Sequence, residues 1–292
     1  AMSEAQVFVN GKKVCFWPYG YNSFWCDVTG NIKIGTNELV VLLENRPQSS
    51  RWYPGAGLYR KVRHITLPKV HIPVWGTYVT VPYIGKDHAV VRVKTKVNGI
   101  SDGAAVTIKT RIVDIQGKVM AEDTDTRQIH KGEVEQNITV SEPALWSPEN
   151  PVLYFAETEV YTGGSIDTDW NMERPRISIS HGEELQDKVS TRFGFRTIEI
   201  RPDEGFLLNG QVRKFRGVCL HHDLGPLGTA INKSAIRRQL TMLKDMGCDA
   251  IRTSHNMPAE ELIELCDEMG FMVMCENFDE WDIAKCENGY HR

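Results

Sequence analysis

The sequence has no apolar run approaching the about 18 residues that a membrane span needs, and Ala1 to Gln6 carry neither the basic nor the apolar region of a secretory signal. No membrane span is expected, and the location is left open between the cytoplasm and, if the native N-terminus lies upstream, the periplasm. Positive charge is not in excess. Lys and Arg total 34 against 38 Asp and Glu, and the formal net charge of −4 gives a polyphosphate no reason to bind, so nucleic acid is not an expected partner. The seven cysteines are an odd number with no C-x-x-C pair, which suggests neither a zinc ribbon nor a complete disulfide framework. Reduced, mostly buried thiols are the expectation, with Cys219 and Cys275 packing as small hydrophobes at the ends of apolar runs. The composition, 41% hydrophobic and 25% charged, excludes collagen-like, coiled-coil and disordered chains. At about 150 residues per domain, 292 residues make two domains or three small ones.

Helical periodicity is scarce up to Glu199. Short apolar runs are cut by turn signals instead, the grammar of an all-β region. Val7 to Val9 and Val14 to Phe16 flank Asn10-Gly11, a hairpin signal because both turn residues tolerate positive φ. Leu39 to Leu43 and Tyr59 to Leu67 read as further strands, and Pro68, Pro73 and Gly76 mark a linker or a change of sheet. Ala89 to Val97, Ala105 to Ile115, Val134 to Val140 and Tyr154 to Tyr161 follow at intervals suited to a sandwich. The polar segment Asp167 to Lys188 reads as an edge strand plus a long loop.

After Arg201 the pattern changes to alternating strands and helices, the mark of parallel βα units. Val212 to Leu220 is a predicted strand. Asn232 is a predicted N-cap before Ile236, Leu240, Leu243 and Met246, whose spacing puts them on one helical face, and Gly247 is the stop. Ala250 to Ser254 is a short strand, Pro258 opens a helix with Leu262, Leu265 and Met269 inward, Gly270 closes it, and Phe271 to Cys275 is a third strand.

Several blocks here resemble glycoside hydrolase family 2, which includes β-galactosidases, β-glucuronidases and β-mannosidases. They are Asn209-Gly210-Gln211, Phe215-Arg216-Gly217-Val218-Cys219-Leu220-His221-His222-Asp223, Ala250-Ile251-Arg252-Thr253-Ser254-His255-Asn256-Met257-Pro258 and Leu265 to Phe271. Upstream, Arg51 to Arg60 resembles the loop ending the family's sugar-binding-like jelly roll, while Leu145 to Tyr154 and Phe193 to Arg196 resemble its immunoglobulin-like domain. His221-His222-Asp223 and Phe278-Asp279-Glu280-Trp281 look most like bacterial β-galactosidases. The resemblance implies a partial jelly roll at residues 1–70, an immunoglobulin-like β-sandwich at 71–200, and the first βα units of a TIM (β/α)8 barrel at 201–292.

It also implies a retaining hydrolase of β-linked carbohydrate, in which one carboxyl protonates the leaving oxygen and another, about 5 Å away, attacks the anomeric carbon. In the family both glutamates follow later barrel strands. A closed barrel needs roughly 200 residues, so both are expected beyond Arg292 and the chain alone is expected to be inactive. Glu276 and Glu280 lie in one loop after one strand, which does not suit a pair flanking the glycosidic bond from opposite sides.

Residues at the C-terminal ends of barrel strands line the active site of that fold. The candidate substrate-binding residues are therefore His221, His222, Asp223, Arg252, His255, Glu276, Asp279 and Trp281. By resemblance, His221 and His255 would hydrogen-bond the sugar. Plainer readings stand beside these: a buried Arg252–Glu276 ion pair, a capped loop for His222 and Asp223, buried packing for Cys275, and core or domain contacts for Trp52 and Trp146. Glu280 corresponds to a Mg²⁺ ligand in some β-galactosidases, so Mg²⁺ or Na⁺ would belong to the full-length enzyme; Asp282 stands where the family's second ligand would be a histidine. Exposed barrel strands favour association into a homo-oligomer. The reading of another class is a non-catalytic carbohydrate-binding β-sandwich protein with a vestigial βα tail.

Overall fold

The computed structural model describes residues 1–50, 52, 55–129, 132–169, 176–280 and 282–289. The chain forms two compact units, one made of Ile65–Lys214 and the other of Ala1–His64 together with Phe215–Arg292.

The first unit is a β-sandwich. Thr77–Ile84, His88–Lys96 and Glu133–Ser141 form one antiparallel sheet, and Glu184–Phe193, Tyr154–Thr162, Ala105–Asp114 and Val119–Gln128 form the other, in that order. Strict alternation turns Ala89, Val91, Val93 and Thr95 inward from one strand and Val134, Gln136, Ile138 and Val140 from its neighbour. Ala89, Val91, Val93, Ile138 and Val140 meet Ile112, Tyr154, Ala156 and Phe195 in one core cluster, and Val134 meets Val106, Ile108 and Val160 in another. Trp146 is buried, with the Arg196 guanidinium 5.0 Å over its ring, which is the core role expected of it. The segment 167–188 is more ordered than its polarity suggests. Ser165–Asp169 pairs with Arg176–Ser180, and Glu184–Phe193 runs the length of Tyr154–Thr162 as an edge strand. An edge strand with a solvated face needs no apolar run, and Val119–Gln128, the opposite edge, lacks one for the same reason.

In the second unit Ala5–Val9 and Lys12–Trp17 form the Asn10-Gly11 hairpin, with both turn residues at positive φ, and Leu39–Leu42 pairs on the other side. Tyr59 to Leu67, predicted as a strand, is in none. Cys15 and Cys26 form a disulfide with Cα atoms 5.9 Å apart, which corrects the expectation of reduced thiols throughout. Cysteine spacing could not reveal it, because the hairpin's second strand and the segment after it bring the two together.

Gly217–Leu220, Ala250–Thr253 and Met272–Cys275 form a parallel sheet in register, connected by helices Lys233–Asp245 and Glu260–Met269. The predicted strand from Val212 is interrupted, since Gln211–Val212 pairs in the other unit and regular structure resumes only at Gly217. Asn232 Oδ1 accepts the Ala235 N–H at 3.0 Å as the N-cap, and Gly270 closes the second helix at φ 75°. Ile236, Leu240, Ile251, Leu262, Leu265, Cys266 and Phe271 form the core between sheet and helices. Each such side chain contributes about 1.5–3 kcal/mol of burial. Met246, predicted on the same face, is exposed past the helix end.

The strand residues that alternate with this core, Cys219, Arg252 and Met274, share one register row and are exposed. Three strands do not close a barrel, so its inward face remains open. Cys219 belongs to this row and is exposed where packing was expected; Cys275, in register with Thr253 on the other side of the sheet, is exposed at the strand end, while Cys266 on the helix is fully buried.

Candidate functional site

The three parallel strands end together, and the residues that follow each one converge. Arg252 Nε donates to Glu276 Oε1, and His255 Nδ1 lies 2.9 Å from Glu276 Oε2, so two strand ends meet on one carboxylate. The Glu276 N–H donates to Thr253 Oγ1 at 3.1 Å, fixing the backbone beneath it. The end of the first strand, Gly217–Leu220, joins through His221, whose ring packs edge-on to His255 with centroids 5.4 Å apart. The ion pair anticipated between Arg252 and Glu276 forms, but it is not buried; their side chains are 46% and 23% exposed.

Partial burial disfavours charge on Glu276, yet the hydrogen bonds and positive charges of His255 and Arg252 outweigh it and hold the carboxyl below the ordinary glutamate range. Glu276 is therefore ionised near neutrality. It suits the role of hydrogen-bond acceptor and not that of a general acid, which must carry a proton there. Burial, then the neighbouring His255, lowers the pKa of His221 and keeps its ring neutral, with one donor and one acceptor nitrogen.

His222 turns away from this cluster. At φ 62° it packs against Tyr21 with centroids 5.1 Å apart, and burial, reinforced by the Arg60 charge, pushes its pKa down to about 4. Asp223 is exposed. Asp279 and Glu280 are buried and held by one lysine: Lys285 Nζ donates to Asp279 Oδ1 at 2.9 Å and its N–H to Glu280 Oε2 at 3.1 Å. Trp281 lies outside the described residues.

Glu280 does not fit a metal. A lysine ammonium already sits against the adjacent Asp279, and no group of three or more His, Cys, Asp or Glu among the described residues could hold an ion.

Residues from the first 64 positions complete the surroundings, and sequence reasoning missed most of them. Trp52, expected in a core or domain contact, is 44% exposed and stacks on His221 with centroids 3.8 Å apart. Arg60 donates to the carbonyl oxygens of Tyr21, Met257 and Pro258, tying down the loop that carries His255. Tyr19 Oη donates to Asn256 Oδ1 at 2.9 Å and Asn277 O at 2.6 Å. The only signal for Trp52 and Arg60 was the Arg51-to-Arg60 block, and there was none for Tyr19. The block marks a loop, and nothing in it says which strand ends the loop will touch.

Among the described residues no helix is long and apolar enough to cross a membrane. The family model for the TIM barrel domain of glycosyl hydrolases family 2 matches residues 198–286, and a second model, glycosyl hydrolases family 2, matches residues 70–172. The β-galactosidase BoGH2A of Bacteroides ovatus is 39% identical over 99% of this chain and 32% of its own length. A β-glucuronidase of Bacteroides fragilis is 26% identical over 94% of this chain and 39% of its own length. The crystal structure of a glycosyl hydrolase family 2 member from Bacteroides cellulosilyticus superposes with a TM-score of 0.87 at 30% identity, covering 99% of this chain and 36% of that one. The chain thus spans about a third of the length of these relatives. Two family models matched in order, together with sandwich and barrel strands that superpose on a member's structure along nearly the whole chain, show that it belongs to glycosyl hydrolase family 2.

Proposed function

We propose that the chain supplies the sugar-binding side of a retaining β-glycosidase that releases terminal β-D-galactosides from oligosaccharides or glycans. The observation that carries this reading is the convergence of His221, Arg252, His255 and Glu276 at the ends of three parallel strands. A sugar hydroxyl both donates and accepts. An ionised Glu276 offers acceptors and a neutral His221 offers one donor and one acceptor, while the Trp52 ring beside them offers an apolar face for the pyranose.

Charge supports a neutral sugar over a uronic acid. A uronate needs an uncompensated cation. Among the described residues of the site, Arg252 is paired with Glu276, Lys285 with Asp279, and Arg60 is engaged by three carbonyl oxygens. The same pairings argue against Glu276 and Asp279 as an acid and nucleophile, so both catalytic carboxylates would come from another part of the full-length protein.

Two assays test the reading. The 292-residue chain alone is expected to turn over neither aryl β-galactosides nor aryl β-glucuronides, and a full-length enzyme containing it is expected to have the higher kcat/KM on the galactoside. Turnover by the chain alone at an ordinary enzyme rate, or a preference for the glucuronide, would overturn it.

A further inference from the structure

The contact between His255 and Glu276 joins the loops that follow two paired strands; Thr253 and Arg252 hold the Glu276 end, and the position of His255, two residues past its strand, is left to contacts from elsewhere. The next residue along each loop is tied to one common group. Asn256 Oδ1 and Asn277 O both accept from the Tyr19 hydroxyl, at 2.9 and 2.6 Å, across 237 and 258 residues of chain. One phenolic proton shared by two acceptors makes a three-centre bond. Asn256 is 3% exposed, so its amide oxygen depends on a protein partner.

We propose that Tyr19 is a positioning residue of the strand-end site: its hydroxyl pins the loop after the second barrel strand to the loop after the third and so sets the His255–Glu276 contact. Tyr19 is itself held firmly. It lies between Cys15 and Cys26, in a segment closed by their disulfide, and the Phe278 ring stands edge-on to it at 6.3 Å. Two residues on, Tyr21 is 2% exposed, packed against Tyr59 and His222, with its carbonyl oxygen bound by Arg60. Arg60 also fixes Met257 and Pro258, so the second loop is held at Asn256, Met257 and Pro258, all from the N-terminal segment. Removing the hydroxyl leaves a buried amide oxygen unsatisfied and frees Asn277, and the two loops can then drift apart.

The importance of this brace for sugar recognition rests on the reading of Glu276 as a sugar acceptor, but the brace can be tested without sugar. The ionised state of Glu276 is favoured by His255 and Arg252, so its carboxyl titration reports whether they remain in place. Glu276 would be followed by ¹³C NMR in the 292-residue chain, in Tyr19→Phe, in Asn256→Ala and in the double variant. Either single substitution is expected to raise the Glu276 midpoint by about half a pH unit or more, and the double variant no further, because both cut one link. Ser23→Ala, which loses only a 3.3 Å contact to Glu260 from the same segment, is expected to leave the midpoint unchanged.

An unchanged midpoint in a folded Tyr19→Phe, or additive shifts in the double variant, would overturn the brace. If Tyr19→Phe does not fold, Asn256→Ala decides on the same criterion. A shifted midpoint in a protein whose sugar binds elsewhere would sustain the brace and overturn only the sugar reading.

Discussion

Lowering the pH from 7.5 to 5 should destabilise the unit that carries the strand-end site, chiefly through His222. Burial and the Arg60 charge bring its folded pKa to about 4, against about 6.5 in an unfolded chain. Because the folded pKa is the lower one, the unfolded state binds the proton first. The stability is therefore complete above pH 6.5 and is lost as pH falls toward 4. Each pKa unit is worth about 1.4 kcal/mol, so the full loss is about 3 kcal/mol, of which about 2 kcal/mol is gone by pH 5. The lowered pKa of His221 acts with the same sign. Glu276 does not contribute in this window, since a depressed carboxylate loses its stabilisation only below the ordinary carboxylate range. The assay is hydrogen exchange of helices Lys233–Asp245 and Glu260–Met269, corrected for intrinsic rates, in the wild type and in His222→Asn. Asparagine accepts the positive φ at this position. The wild type should lose about 2 kcal/mol of protection between the two pH values, and the variant less than half of that. Equal losses in both proteins would refute the reasoning.

Other consequences follow from packing and covalent structure. Leu240 is fully buried between helix and sheet, so Leu240→Ala should cost about 2–5 kcal/mol in urea unfolding, while Met246→Ala, at 74% exposure, should cost less than about 0.5 kcal/mol. Replacing Cys15 and Cys26 by alanine opens a loop with a sequence separation of 11, and chain entropy puts the loss at about 3 kcal/mol; a thiol titration of the wild type should find the pair unreactive until reduced.

Much of the fold was legible because it rests on local rules. Asn10-Gly11 declared its hairpin, the alternation from Ala89 to Val97 its sandwich strand, and Asn232 with Gly247 the limits of a helix. What was missed has a common cause, the absence of a local pattern. Glu184–Phe193 is an edge strand whose polar residues face water, and the Cys15–Cys26 bond depends on two segments meeting in space. Cys219 and Cys275 are exposed where packing was expected, because an apolar run does not say which of its residues another element will cover. The strand-end residues could be named, since parallel strands end at one face, and Arg252, His255 and Glu276 do meet there. His222 could not be separated from His221 by sequence, though one packs under Tyr21 and the other against His255. Tyr19, Trp52 and Arg60 lie some 200 residues from the groups they touch, beyond the reach of any local signal.

The proposed function requires that a neutral β-galactoside be recognised at the ends of the three parallel strands. The most direct measurement is calorimetric titration of the 292-residue chain with methyl β-galactoside and methyl β-glucuronide, following the His221 and His255 ring signals by NMR, and repeated with Glu276→Gln. The galactoside should bind the more tightly of the two and perturb both rings, and Glu276→Gln should weaken it about tenfold or more, the worth of a hydrogen bond to a charged acceptor. Tighter binding of the glucuronide, or galactoside binding that leaves both rings and the Glu276→Gln affinity unchanged, would contradict it.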